Sequence, residues 1–141
     1  MKLERTAIIG EPEGKTWGGY AGLSMRFSQD IMNVSFTGEE VMEDYNKSKS
    51  NWLFMGGEFI KGGKAGICIY QHPENNIENM RWYIFNTLEP RFQYFSPAII
   101  FDAPWYYNKG EEFTLKYRVW VLDGEANAQK LSQKYADYAN E

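Results

Sequence analysis

The side chains that most often bind metals are nearly absent from this sequence. The 141 residues include one histidine, His72, and one cysteine, Cys68. A zinc site built from nitrogen and sulfur ligands needs about four such side chains, and no acidic loop has the spacing of a calcium site. A single cysteine also excludes an internal disulfide. We therefore expect no metal, and the hydrophobic core has to hold the fold together.

Positive charge and long apolar segments are scarce as well. The formal net charge is −4 and the sequence pI is about 5.1, which disfavours a phosphate-backbone ligand, so we expect no nucleic-acid partner. No apolar run approaches the roughly 20 residues that span a bilayer, and residues 1–10 lack the apolar core of a signal peptide. We expect a soluble chain with no membrane partner. Its localisation, cytoplasmic or periplasmic, stays open.

The sequence lacks the usual signatures of cofactor binding and of nucleophilic catalysis. Gly18, Gly19 and Gly22 lie close together, but the segment neither opens a helix nor ends in the Lys-Ser/Thr pair of a phosphate loop. No Gly-x-Ser-x-Gly motif is present to support a catalytic triad. With nineteen acidic residues, pairs of carboxylates arise by chance. The nominal candidates for such a pair are Glu58, Glu74, Glu78, Glu89 and Asp102. We expect no cofactor, and no reaction is named by these patterns.

Aromatic residues, in contrast, are abundant. They make up 17% of the chain, with ten tyrosines, nine phenylalanines and five tryptophans. Such side chains favour strands, and where they are exposed they favour binding surfaces. The length is typical of one domain, so a single domain over residues 1–141 is predicted.

Alternation of apolar and polar residues predicts a series of short strands. They are expected at 20–28, 31–37, 52–60, 65–72, 81–85, 92–101 and 112–122. The pair Gly56-Gly57 predicts a bulge or bend within its strand, and Lys61 to Lys64 is typical of a hairpin turn.

The pattern changes to a helical one near the end of the chain. Ala128, Leu131, Tyr135 and Tyr138 recur at spacings of three and four, which predicts one helix that packs its tyrosine stripe on the sheet. The predicted fold is therefore mainly β, an antiparallel β-sandwich or an open barrel with one C-terminal α-helix. A mutarotase-like sandwich is one form that this fold could take.

A few polar and aromatic side chains are candidates for a ligand site. Arg26 and Arg118 lie on the polar faces of their strands, although solvated surface is the more ordinary role for such residues. His72 ends a strand, where a structural role and a catalytic role are about equally expected. Exposed tryptophans could stack on sugar rings, although most tryptophans are core residues. The tryptophans considered for this role are Trp17, Trp82, Trp105 and Trp120.

Three segments carry a resemblance to a known family. They are WGGYAGLSMR at 17–26, GICIYQHP at 66–73 and YRVWVLDG at 117–124. In order and spacing they resemble the PmoA-like family of uncharacterised bacterial β-sandwich proteins, and this chain is similar to its C-terminal half. The resemblance implies a sandwich that is often encoded beside carbohydrate-degrading proteins. Gln71 stands where the family commonly has an aspartate before His-Pro, so a chemistry that needs this aspartate would be impaired.

The resemblance also indicates which positions to test. Carried over position by position, they are Tyr20, Arg26, His72, Asn75, Trp82 and Arg118. We expect a carbohydrate-associated domain that binds or processes a sugar on a concave sheet face. In that hypothesis His72 is the acid or base, Arg26 or Arg118 positions the ligand, and an activity would be that of a hydrolase or epimerase. The alternative is a non-catalytic assembly domain that forms homo-oligomers through exposed aromatics and strand edges.

Overall fold

Two larger antiparallel sheets, a short pair of strands and one helix make up the described part of the chain. The structure is a computed structural model and describes residues 2–3, 22–75, 78, 80–103, 105–106 and 108–141. Its elements are β1 (Lys2–Leu3), β2 (Met25–Arg26), β3 (Ile31–Gly38), β4 (Trp52–Phe59), β5 (Lys64–Gln71), β6 (Arg81–Leu88), β7 (Arg91–Ala98), β8 (Trp105–Tyr106), β9 (Tyr117–Asp123) and α1 (Ala128–Ala139). A four-stranded sheet has the order β3-β4-β5-β9, a three-stranded sheet has the order β2-β7-β6, and β1 pairs with β8. The prediction of a mainly β fold with a C-terminal helix is confirmed.

The main hydrophobic core lies between the two sheets. Leu53, Met55 and Ile69 of the four-stranded sheet are fully buried, and they belong to the same cluster as Trp82 and Phe95 of the three-stranded sheet. Each sheet therefore buries one face against the other, which is the packing of a β-sandwich. Alternate residues of the same strands point outward.

Helix α1 covers part of the outer face of the four-stranded sheet. Leu131 and Tyr138 are buried there, and the ring of Tyr135 stacks on that of Tyr70 with a centroid distance of 6.4 Å. The helix begins after Asn127, whose side chain accepts a hydrogen bond from the Lys130 backbone N–H, as an N-cap does. The predicted tyrosine stripe is thus confirmed. Within the described residues, no helix has the length and apolar character required to cross a membrane.

The bulge predicted at Gly56-Gly57 is absent, and the irregularity lies on the neighbouring strand β3. The pairing of β4 with β5 is continuous through Gly56 and Gly57, whereas the pairing of β3 with β4 shifts between Met32 and Ser35. Asn33, in the shifted segment, has a positive φ of 49°. The glycines answer a different need, because a Cβ on Gly56 would lie 2.5 Å from the ring of Phe54. Close packing, rather than a bend in β4, requires glycine here.

Strand boundaries also differ from the prediction, most of all in the first and last predicted strands. The last strand was expected at 112–122 and occupies Tyr117–Asp123, because the backbone of Lys116 bonds to His72 and Asn75 instead of to a sheet. The first predicted strand, 20–28, is described only from residue 22, and there Met25–Arg26 is the strand. The hydrogen bonds of Lys116 are contacts between distant segments, which alternation does not report.

Candidate functional site

The outer face of the four-stranded sheet changes character along β4 and β5. Successive outward pairs of these two strands are Trp52 with Tyr70, Phe54 with Cys68, Gly56 with Gly66, and Glu58 with Lys64. The first two pairs are buried beneath α1. The last two pairs lie beyond the helix, where the face has small and charged residues instead of large apolar ones. A groove forms at this point.

The groove has a volume of about 250 Å³. Polar side chains of β3 form one wall, and the segment between β9 and α1 forms the other. Its lining consists of Asn33, Ser35, Thr37, Phe54, Gly56, Gly57, Glu58, Lys64, Ala65, Gly124, Glu125 and Ala126. We call this surface the groove.

Three charged side chains and one amide form a connected set within the groove. The Lys64 ammonium donates to Glu125 Oε1 at 2.6 Å and lies 3.4 Å from Glu58 Oε1, while Asn33 Nδ2 donates to Glu58 Oε2 at 2.8 Å. The pKa of Glu58 is lowered, chiefly by the hydrogen bond from Asn33 and further by Lys64. Lys64 also lowers the pKa of Glu125, and the pKa of Lys64 is raised mainly by Glu125. All three groups are therefore ionised at neutral pH.

The floor of the groove is made by glycines and one aromatic ring. The ring of Phe54 lies so close to Gly56 and Gly66 that a Cβ on either glycine would come within 3.0 Å of it. Phe54 is only 3% exposed, so its ring supports the floor and offers little surface for stacking. The absence of side chains at the two glycines leaves room for this ring, which lies over them and lines the bottom of the groove.

His72, the predicted acid or base, lies elsewhere, directly after the end of β5 and against the C-terminal part of α1. It is 6% exposed, and its ring meets that of Tyr138 edge-on at a centroid distance of 5.1 Å. Its Nδ1 accepts a hydrogen bond from the Glu74 backbone N–H at 3.2 Å. The ring is thereby packed and oriented, and it does not line the groove.

In the same region, the side chain of Asn75 holds the backbone of Lys116 through two hydrogen bonds. Its Nδ2 donates to the Lys116 carbonyl and its Oδ1 accepts from the Lys116 backbone N–H, both at 2.8 Å. The amide is buried, and these two bonds occupy its donor and acceptor sides. The predicted substrate-binding residue therefore fixes the entry into β9.

Arg118 lies in the same region as His72 and Asn75. Two salt bridges are also found there. The Arg118 guanidinium lies 4.4 Å from the ring centroid of Tyr138 and pairs in bidentate fashion with the Glu141 carboxylate. This pairing lowers the pKa of Glu141. Lys116 pairs with one carboxylate oxygen of Glu74 and lowers the pKa of that carboxyl. We call His72, Glu74, Asn75, Lys116, Arg118, Tyr138 and Glu141 the rim cluster.

The other predicted site residues do not converge on the rim cluster. Arg26 belongs to the three-stranded sheet, where its guanidinium lies 4.4 Å from the ring centroid of Phe92. Trp82 is fully buried in the main core, and its indole N–H donates to the Ser50 carbonyl at 2.7 Å. The expectation that Trp82 stacks on a ligand is corrected, because no face of its ring is accessible.

Some predicted residues lie outside the described part of the chain, and one tryptophan has a partner of another kind. Tyr20 and Trp17 are among the residues that the structure does not describe. Trp120 is partly exposed, and the ammonium of Lys134 lies 4.1 Å from its ring centroid. A lysine thus already occupies one face of this indole.

Buried groups offer little nucleophilic chemistry. Burial raises the pKa of the Cys68 thiol to about 12, so the thiol stays protonated and unreactive at neutral pH. No group of three or more histidine, cysteine or acidic side chains suited to a metal ion occurs in the described ranges.

The groove is the feature that the sequence analysis missed. One sequence pattern could have indicated it. Asn33, Ser35 and Thr37 alternate along one strand, which predicts that their polar side chains share its outward face. Glu58 had been nominated only as one of several chance carboxylates. Its pairing with Lys64 follows from the hairpin register, but the proximity of Glu125 depends on how the chain leaves β9.

A family model matches nearly the whole chain. It covers residues 2–136 and describes a family of unknown function, DUF6807. The chain belongs to DUF6807. No curated protein and no solved structure matches the chain at a significant level. Membership of DUF6807 assigns no activity, so the function has to be argued from the groove and the rim cluster.

Proposed function

We propose that this protein is a carbohydrate-binding β-sandwich domain whose ligand lies in the groove. The observation that carries the proposal is the groove itself, a concavity of about 250 Å³ lined by hydroxyl, amide and charged side chains over a floor of glycines. This combination leaves space for a small polar molecule and supplies several directed hydrogen-bonding groups around it.

The chemistry of the lining suits sugar hydroxyls. Each hydroxyl both donates and accepts a hydrogen bond. Ser35 and Thr37 on one wall can do the same, and the carboxylates of Glu58 and Glu125 accept only. Because Glu58 is already held by Asn33 and by Lys64, its side chain loses little freedom when a ligand binds.

Processing of the sugar, as distinct from binding, would require a reactive group at the ligand. His72 was the predicted acid or base, but it does not line the groove, and its ring is packed against Tyr138. The groove has its own two carboxylates, Glu58 and Glu125, as the only titratable acids in its lining. If the bound sugar is processed, these are the groups to test first, and the roles proposed for His72 and Arg118 become secondary.

A blocked groove tests the proposal. The variant Ser35→Trp places a large side chain over the floor, while Ser132→Trp adds the same side chain to an exposed position of α1 as a matched control. We expect calorimetric titration with a panel of mono- and oligosaccharides to detect binding to the parent protein and to Ser132→Trp, and none to Ser35→Trp. Equal binding by the two variants would place the ligand elsewhere, and no binding by the parent would refute the proposal.

An assembly domain is the second candidate, and a different observation favours it. Strand β9 is the last strand in the order of the four-stranded sheet, and its inward-facing Val119 and Val121 are 39% and 67% exposed. Exposed valines on an edge strand favour pairing with another chain.

Light scattering tests whether the protein assembles through β9. If β9 pairs between copies, Val121→Lys converts a dimer to a monomer, whereas Val41→Lys, at another exposed valine, does not; a monomeric parent protein would exclude it.

The resemblance to the PmoA-like family stays a prediction. It supports the carbohydrate-binding proposal only because such proteins are often encoded beside carbohydrate-degrading proteins. The groove supports the same reading independently, because its residues were not among those that the resemblance indicated.

A further inference from the structure

The charge of the groove narrows the class of its ligand. We infer that the ligand is a saccharide without anionic groups, and that a sugar with a free ammonium group binds more tightly than the neutral parent sugar. This inference rests on the proposed carbohydrate-binding function. It names Glu58 and Glu125 as the residues that determine specificity.

The first step is the balance of charges in the lining. The lining residues include two carboxylates, those of Glu58 and Glu125, and one cation, that of Lys64. One carboxylate charge is therefore not compensated within the groove. An anionic ligand would meet a net negative charge at short range.

The second step is the placement of the lysine. Its ammonium lies 2.6 Å from one carboxylate and 3.4 Å from the other, so it is already shared between Glu125 and Glu58. A uronic acid would have to draw Lys64 away from both partners to gain one ion pair of its own. An ammonium group on the ligand, in contrast, adds a second cation to two carboxylates that share one.

The third step concerns the polar groups that carry no charge. Ser35 and Thr37 line the groove on the wall opposite Gly124 and Ala126. Their hydroxyls can bond neutral sugar hydroxyls in either direction, and so can bind the parent sugar without any ionic contact. The ionic preference is therefore added to a recognition that neutral sugars already share.

The persistence of these charges supports the same conclusion. Hydrogen bonding and ion pairing lower the pKa values of Glu58 and Glu125 and raise that of Lys64. The net charge of the groove therefore does not change near neutral pH.

A ligand series tests the inference on the unmodified protein. Glucosamine, glucose and glucuronic acid share one ring frame and carry a positive, a neutral and a negative group. At pH about 6 and low salt, we expect glucosamine to bind about fivefold more tightly than glucose, and glucuronic acid at least about fivefold more weakly, as for exposed charge pairs. Added salt should reduce both ratios.

Two variants assign the effect to the groove. In Glu125→Gln the glucosamine-to-glucose ratio should fall toward one, because one carboxylate is removed. In Glu111→Gln, where the carboxylate accepts bonds from Asn108 and does not line the groove, the ratio should be that of the parent. Tightest binding of glucuronic acid, or equal binding of all three sugars, would overturn the inference and leave the proposed function standing. If none of these sugars and no oligosaccharide binds, the proposed function fails and the inference fails with it.

Discussion

The two halves of the outer face of the four-stranded sheet are built on the same strands, but α1 covers one half and leaves the other open. Beneath α1, the outward residues of β4 and β5 are aromatic or sulfur-containing and fully or almost fully buried. A few residues further along the same strands, the outward pairs are Gly56 with Gly66 and Glu58 with Lys64. The backbone pairing is continuous from one half to the other. Only the side chains distinguish the covered half from the open half.

This contrast explains why one half of the face is covered by the helix and the other half is open. Large apolar side chains draw the helix onto the covered half, because their burial is favourable. Glycines and charged residues give the helix nothing to pack on, and the open half remains accessible as the groove. The boundary lies at Phe54, which belongs to the covered cluster and also forms the floor of the groove.

The largest expected effect is on the covered half. Leu131 is fully buried between α1 and the sheet, so Leu131→Ala should reduce the free energy of unfolding by about 2–5 kcal/mol through the cavity it leaves. Urea denaturation followed by circular dichroism measures this change. Gln129→Ala, at an exposed position of the same helix, is the control and should have little effect. A small loss for Leu131→Ala would mean that the helix is not packed as described.

The boundary between the halves provides the next prediction. A Cβ at Gly66 would collide with the ring of Phe54, so Gly66→Ala should cost about 1–3 kcal/mol of stability through overpacking. In the background of Phe54→Leu, which removes the ring, the same substitution should cost measurably less. Such coupling is the expected result of a double-mutant cycle. Additive effects of the two substitutions would show that the ring does not lie over Gly66.

Sequence patterns anticipated much of the covered half and little of the open one. The spacing of Leu131, Tyr135 and Tyr138 is local, and local periodicity suffices to assign a helix and its buried stripe. The groove depends on two contacts between distant parts of the chain. Glu125 pairs with Lys64 across 61 residues, and Asn33 donates to Glu58 across 25 residues, so both contacts follow from sheet order. The role of Asn75 was missed for the same reason, since its partner Lys116 is 41 residues away.

The rim cluster distinguishes a structural role from a ligand-binding one. Asn75→Ala removes two hydrogen bonds to the Lys116 backbone, so it should lower the free energy of unfolding by about 1–3 kcal/mol. Sugar affinity, measured by calorimetry on the folded variant, should not change if the ligand lies in the groove. A variant with parent stability and lost binding would reverse this assignment and make Asn75 a ligand-binding residue.

The smallest expected effect concerns acid titration of the open half. The pKa of Glu58 lies below its ordinary value of 4.5, chiefly because Asn33 donates to its carboxylate. Its contribution to stability is therefore present above pH 4.5 and is lost as the pH falls through the lowered pKa. Carbon-detected NMR of the side-chain carboxyl should show a midpoint below 4.5 in the parent and a higher midpoint in Asn33→Gly. Glycine is chosen because Asn33 has a positive φ. Equal midpoints would contradict the hydrogen bond.

An amide NMR titration distinguishes a ligand in the open half from a ligand at the rim cluster, and we expect it in the open half. Addition of a sugar that binds should shift the backbone resonances of Ser35, Gly56 and Gly124, and the same shifts should occur in His72→Ala. Shifts clustered at His72 and Tyr138 would place the ligand at the rim cluster instead of in the groove. The same conclusion would follow if His72→Ala remained folded and no longer bound the sugar.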